Sequence, residues 1–271
     1  MLFDLIDGQF IKRDDKAFGT DIPEQLLFVE SLRAIRNQLM FWDEHRILLN
    51  LQFQLLNQAP PAFMKNEARE LKRQIERTLV KNKFFKSARI DLYLYTSSNG
   101  ISYLIRTKPI ESIMYELNHE GSVIVPFDRT FKASSPLSSL RMGSDPYWKI
   151  LKAFQPSFGS EPVLQNEKGC LLEAPERNLF LIRGTTVYTV LPGSGVYINP
   201  ARETIRKICG KAGISFNEVE FLSEEDLLRA DEVFLAGDIH GIQWIKGFEM
   251  KRYLNKTIRR INDLLNQELN G

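Results

Sequence analysis

Cysteine is scarce in this 271-residue chain: Cys170 and Cys209 are the only two. Two thiols cannot build a disulfide framework, and both read as buried core residues of a reducing compartment. Long hydrophobic runs are missing as well, so no segment is apolar enough to span a bilayer. The opening MLFDLIDGQF has no basic stretch followed by an apolar one, which argues against a signal peptide. Neither charge sign dominates. With 36 basic and 34 acidic residues the net charge is +2, and no general field draws the chain to nucleic acid or an anionic membrane. Repeats and low-complexity tracts are absent too. These absences lead to the expectation of a cytoplasmic protein without a metal centre, a membrane or a nucleic-acid partner. What is present is globular material: 43% hydrophobic, 26% charged and 11% aromatic, enough to bury a core.

The order of patterns predicts an α+β chain in two parts. Leu2 to Lys12 alternates around Asp7-Gly8, a hairpin signal. Leu26 to Ile35 is an apolar strand, and Leu39 to Trp42 a short one. A helix is expected from Glu44 to Asn57, capped by Asp43, with Ile47, Leu48, Leu51 and Leu55 as its apolar stripe. Pro60-Pro61 ends it. A second helix spans Lys65 to Lys81, and strands follow at Ala88–Tyr95 and Ile101–Arg106. This gives a small N-terminal domain over 1–112, a polar linker over 113–121 and a larger domain over 122–271. In the larger part, strands are expected at Val123–Phe127, Ser160–Asn166, Cys170–Glu173, Asn178–Ile182, Val187–Leu191, Phe216–Phe221 and Val233–Ala236. Helices are expected at Tyr147–Phe154, Ala201–Ala212, after Ser223, and at Leu254–Leu269.

Four ordered segments add more. They are Val29-Glu30-Ser31-Leu32-Arg33 followed by Asp43-Glu44-His45-Arg46-Ile47-Leu48; Glu173-Ala174-Pro175-Glu176-Arg177-Asn178-Leu179-Phe180; Gly195-Val196-Tyr197-Ile198-Asn199-Pro200-Ala201-Arg202; and Ala230-Asp231-Glu232-Val233-Phe234-Leu235-Ala236-Gly237. Each is weak alone. In this order they resemble the fold-type-IV family of pyridoxal-phosphate (PLP) enzymes, which holds branched-chain aminotransferases and aminodeoxychorismate lyase. The resemblance implies a two-domain fold with a small α/β N-terminal domain and a larger, β-barrel-like C-terminal one. It also implies a homodimer, a small-molecule substrate and PLP as cofactor.

The resemblance assigns roles residue by residue. Glu173 falls where the family pairs a carboxylate with the pyridine nitrogen, keeping the ring protonated as an electron sink. Its bland alternative is a surface glutamate. Arg33 matches a phosphate-contacting arginine, against a solvated strand arginine. Val196, Tyr197 and Ile198 form one phosphate turn, and Asp238 and Ile239 part of the other. Both turns depart from the pattern. Pro200 has no N–H to give, and Asp238 stands where a threonine is usual. A carboxylate at hydrogen-bond range of a phosphate in a partly dry site costs about 4 kcal/mol. His240 and Asp238 otherwise read as solvent-facing loop residues.

The lysine slot is the main departure. Counting back from Glu173 by the family spacing lands near Ser139 to Arg141, and aligning Tyr147 lands on Met142. Arg141 is the expected occupant. A guanidinium stays protonated and cannot condense with an aldehyde. Lys132, Lys149 and Lys152 are the nearest lysines, expected on the solvated surface, with Lys132 too far upstream unless the loop shifts register. Three functions therefore stay open: a PLP-dependent aminotransferase or 4-amino-4-deoxychorismate lyase; a catalytically inactive family member that binds another small molecule or a protein partner; and a working site hidden by a register shift between Tyr147 and Glu173.

Overall fold

The computed structural model describes residues 1–13, 26–98, 100–154 and 159–270. The chain forms two compact units, Met1–Met114 and Tyr115–Gly271.

The first unit is a six-stranded sheet with two helices. Its strands are β1 (Phe3–Ile6), β2 (Gln9–Lys12), β3 (Leu26–Ile35), β4 (Gln38–Leu39), β5 (Ser87–Ser97) and β6 (Gly100–Ile110). They lie in the order β2-β1-β6-β5-β3-β4. The Asp7-Gly8 turn joins β1 to β2 as expected, with both residues at positive φ. Helix α2 (Lys65–Lys81) buries Leu71, Ile75 and Leu79. Helix α1 (Trp42–Leu55) departs from its expected face. It buries His45, Leu48, Leu49, Gln52 and Phe53, while Ile47, Leu51 and Leu55 are exposed. The stripe turns because a polar cluster claims the inner face: His45 Nδ1 and Gln52 Nε2 meet Glu30 at 2.9 and 3.1 Å. Asp43 does not cap this helix. The cap position is Phe41, in the left-handed region, with no side-chain cap bond.

The second unit is built on β7 (Ser122–Lys132), β8 (Ser160–Asn166), β9 (Leu171–Ala174), β10 (Arg177–Arg183), β11 (Thr186–Val190), β12 (Ser215–Val219), β13 (Glu232–Gly237), β14 (Gly241–Phe248) and β15 (Lys251–Arg252). The order is β12-β11-β10-β13-β14-β7-β8-β9, and β9 pairs back onto β10. That pairing closes β7, β8, β9, β10, β13 and β14 into a barrel, with β11, β12 and β15 attached at its margins. The inside is apolar: Leu172, Leu179, Leu181, Val233, Leu235 and Ile245 are among its fully buried members. Helices α3 (Arg141–Ala153), α4 (Ala201–Lys211), α5 (Glu224–Arg229) and α6 (Lys256–Asn270) complete the unit. Ser223 caps α5 in a full capping box with Asp226. Part of the 113–121 stretch is packed rather than loose. Tyr115 is buried and its hydroxyl donates to the Asp238 carbonyl.

Two boundaries differ from the sequence-based expectation in a way that reaches the site. Strand β7 runs five residues past Phe127, to Lys132. Helix α3 begins at Arg141 rather than Tyr147. The polar Asp128-Arg129-Thr130 stretch hides the strand's continuation, and Gly143 and Pro146 hide the first turns of the helix. Pro146 lies inside the helix, at its sixth position, where its ring nitrogen forgoes one helical hydrogen bond.

Candidate active site

The turn between β9 and β10 places the central carboxylates. Ala174 pairs with Arg177 across a two-residue turn, Pro175-Glu176. Proline at the first central position and a positive φ at the second fit a type II turn; Glu176 has φ 62°. A left-handed glutamate is strained by about 1–2 kcal/mol. The turn is held from outside, since the Glu176 carbonyl accepts from Asn199 Nδ2 at 3.0 Å. Gly237 is needed opposite it: a Cβ there would come 2.1 Å from that same carbonyl oxygen.

On β9, just before this turn, sits Glu173. It is wholly buried, not the surface residue of the bland alternative. Lys132 Nζ lies 2.7 Å from its Oε1, and Trp148 Nε1 donates to the same oxygen at 2.9 Å. The Tyr197 backbone N–H donates to Oε2. Lys132 also donates to Ser144 Oγ at 2.9 Å. Both side chains of the ion pair have no solvent exposure. The walls are aromatic: Trp148 and Tyr197 meet edge to face with centroids 4.9 Å apart, in a cluster with Phe127, Leu151 and Leu164. Burial pushes the Lys132 ammonium below the ordinary lysine pKa, while Glu173 pulls it back up.

Lys132 is therefore the residue that the sequence reading misplaced. It is a core lysine, not a solvated one, because β7 extends to it and pairs Lys132 with Asn166 of β8. A strand pattern carried five residues further would have found it. Lys149 and Lys152 do lie on helix α3 with exposed side chains, ion-paired to Asp145 at 2.9 Å and Glu176 at 3.6 Å.

Arg141 opens helix α3 and is buried. Its Nη2 is paired with Glu176 Oε1, and its guanidinium stands over the Trp148 ring, 5.3 Å from the centroid. His240, about half exposed, reaches the other Glu176 oxygen at 3.3 Å. The turn after β13 is buried, so Asp238 is not a solvent-facing residue. Its Oδ1 accepts from Asn199 Nδ2 at 2.9 Å and its N–H donates to Asn199 Oδ1 at 3.1 Å. Ile239 beside it is buried too. In the other turn Val196 is buried, and the Ile198 N–H donates to the Ser139 carbonyl at 2.9 Å. Pro200 takes the cap position of α4. Arg33 belongs to the first unit, where it donates to the Ser112 and Met114 carbonyls at 2.8 and 3.1 Å and to Ser87.

Residues 27–248 match the model of the amino-transferase class IV family. No curated protein matches the chain. Among solved structures it is similar to a branched-chain aminotransferase from Thermoproteus uzoniensis with norvaline (20% identity, 97% of this chain and 93% of that one, TM-score 0.79). It is similar to a hypothetical aminotransferase of Mycobacterium tuberculosis in an α-ketoglutarate and pyridoxamine-phosphate (PMP) bound form (13%, 98% and 99%, TM-score 0.78). A third is a Legionella pneumophila protein proposed to be a 4-amino-4-deoxychorismate lyase (19%, 89% and 90%, TM-score 0.72). At these identities the likeness is one of fold.

PLP asks for a carboxylate facing its ring nitrogen, an amine for its aldehyde and donors for its phosphate. Glu173 is the right carboxylate, but three donors already hold its two oxygens. Arg141 is committed to Glu176. The Tyr197, Ile198 and Asp238 N–H groups serve protein acceptors, and a buried carboxylate, Asp238, sits in the second turn expected to hold the phosphate. As arranged here, these residues do not fit the cofactor.

Proposed function

Because the chain belongs to the amino-transferase class IV family, we propose that it works on a small amino-acid-type molecule in the barrel of its second unit. The activity would be that of the family: transamination of an amino acid, or lyase action on aminodeoxychorismate, with PLP. The observation that carries this reading is Glu173, retained without exposure directly across from Asn178, its register partner on β10. Asn178 Oδ1 is buried and accepts no hydrogen bond, which leaves an acceptor beside Glu173 for a ligand donor or a water. Under this reading Lys132 would be the residue whose amine holds the cofactor's aldehyde. Among the described residues it is the one lysine without exposure, and a buried lysine of lowered pKa is the type that makes Schiff bases.

The second reading is a catalytically inactive member that binds another small molecule or a protein partner. Arg141 held by Glu176, the filled Glu173 and the buried Asp238 favour it. One experiment separates the two. The purified chain is titrated with PLP, scanned for the visible band of a lysine-bound cofactor, and reduced with borohydride. A band that borohydride removes supports the enzyme; a colourless protein that takes up none supports the inactive member.

We also place the protein in the cytoplasm as a homodimer. No helix among the described residues is long and apolar enough to cross a membrane. The exposed stripe Ile47, Leu51 and Leu55 on α1 supports a partner copy, because apolar residues at this spacing form one continuous seam. Light scattering on the native chain and on Leu51→Glu tests it: a dimer that the substitution splits is expected, and a native monomer contradicts it.

A further inference from the structure

We infer that Lys132 is a built-in counter-ion that occupies the place of the cofactor's protonated ring nitrogen, so that the site is closed by the protein's own side chain. The inference rests on the second reading above. It starts from charge. A pyridinium N–H offers Glu173 one positive charge and one hydrogen bond. The Lys132 ammonium offers the same two things to the same oxygen, at 2.7 Å. The remaining groups complete the replacement. Trp148 Nε1 and the Tyr197 N–H satisfy the rest of the carboxylate, and the aromatic cluster covers the pair.

The route by which Lys132 arrives is also particular to this chain. It does not come from the lysine slot, which Arg141 fills at the start of α3. It comes from nine positions earlier, at the end of β7, where it donates a second hydrogen bond to Ser144 Oγ of α3. Arg141 is turned onto Glu176 instead. The two cations thus divide two carboxylates between them, Lys132 with Glu173 and Arg141 with Glu176. Each carboxylate has a cation beside it, which offsets the cost of burying this much charge.

The experiment is chemical rescue of Lys132→Ala. This change leaves a void with Glu173 at its end, the kind of cavity that small ring compounds enter. The probe is 4-methylpyridine, which carries a ring nitrogen but no aldehyde and no phosphate; toluene is its neutral isostere. A specific ligand at ten times its Kd raises the midpoint of thermal unfolding by about 2–5 °C for a unit of this size. The expected result is such a rise for Lys132→Ala with 4-methylpyridine, and none with toluene or for the native chain. In Lys132→Ala/Glu173→Gln, which lacks both charges of the pair, the preference for 4-methylpyridine over toluene falls away. If Lys132→Ala is unfolded by itself, it is refolded from denaturant with 4-methylpyridine present; recovery supports the inference, and failure to recover overturns it. Equal shifts with toluene, equal shifts in the native chain, or no shift in a folded Lys132→Ala also overturn it.

A separate arm distinguishes this inference from the reading beneath it. The native chain is treated with PLP and borohydride, and its peptides are weighed. A pyridoxyl group on Lys132 overturns both the inference and the inactive reading. Rescue that fails while no lysine is labelled overturns the inference alone.

Discussion

Glu30 and Glu173 have no solvent exposure, one in each unit, and they are satisfied in opposite ways. Glu30 on β3 is held by His45 and Gln52 of α1, groups that need carry no charge. Glu173 on β9 is held by a full cation, Lys132, together with an indole and a backbone N–H. The first arrangement ties a helix to a sheet. The second brings a lysine against an apolar, aromatic cluster, where its desolvation is costly and its partner makes it tolerable. A polar cluster that merely holds a fold together has no need of that second charge.

The comparison yields a ranked set of outcomes. The largest is Glu173→Leu, which strands the Lys132 ammonium among Trp148, Phe127 and Leu164. Breaking one side of a buried pair costs about 3–5 kcal/mol, read as a fall in the denaturation midpoint at unchanged slope. Glu30→Leu is next. It leaves His45 and Gln52 without their acceptor but strands no obligatory charge, so the loss is about 1–3 kcal/mol by the same measurement. If Glu30→Leu costs as much as Glu173→Leu, the contrast between the two sites is broken.

Smaller effects test the surroundings. Ser223→Ala removes one half of the α5 capping box and costs about 1 kcal/mol, a reference for what an ordinary surface hydrogen bond is worth here. Alkaline pH gives a further test in the first unit. Burial pushes the Tyr103 hydroxyl from 10 up to about 12. A group whose folded pKa is raised contributes stability that is complete below pH 10 and is lost as the pH climbs towards 12. Unfolding followed from pH 9 to 12 is expected to show that decline, and Tyr103→Phe to lessen it.

Much of this architecture is legible in the residues. The hairpin at Asp7-Gly8, the second helix over Lys65–Lys81, strand Ser160–Asn166 and the Ser223 cap all announce themselves by turn chemistry, period and capping pattern. The ordered motifs around Glu173 and Asp231 pointed to the family. Three things were hidden. The face of α1 was misread because periodicity counts apolar residues, and here His45 and Gln52 take the inner face to meet Glu30. Asp238 looked like a loop residue because nothing local shows that Asn199, thirty-nine positions earlier, closes over it. Lys132 was misplaced because the polar residues 128–130 end the visible alternation of β7, and because a lysine in an apolar interior is rare enough that solvent is its default assignment. Its partner lies forty-one positions away, and only the closed barrel brings the two together.

The central claim is that Lys132 and Glu173 form one closed unit, and a double-substitution cycle tests it most directly. Lys132→Met, Glu173→Gln and the combined variant are unfolded in denaturant beside the native chain. The account predicts that either single change is strongly destabilising, and that the combined variant recovers most of the loss, with a coupling of at least about 2 kcal/mol. Additive losses, with no recovery in the combined variant, would contradict it.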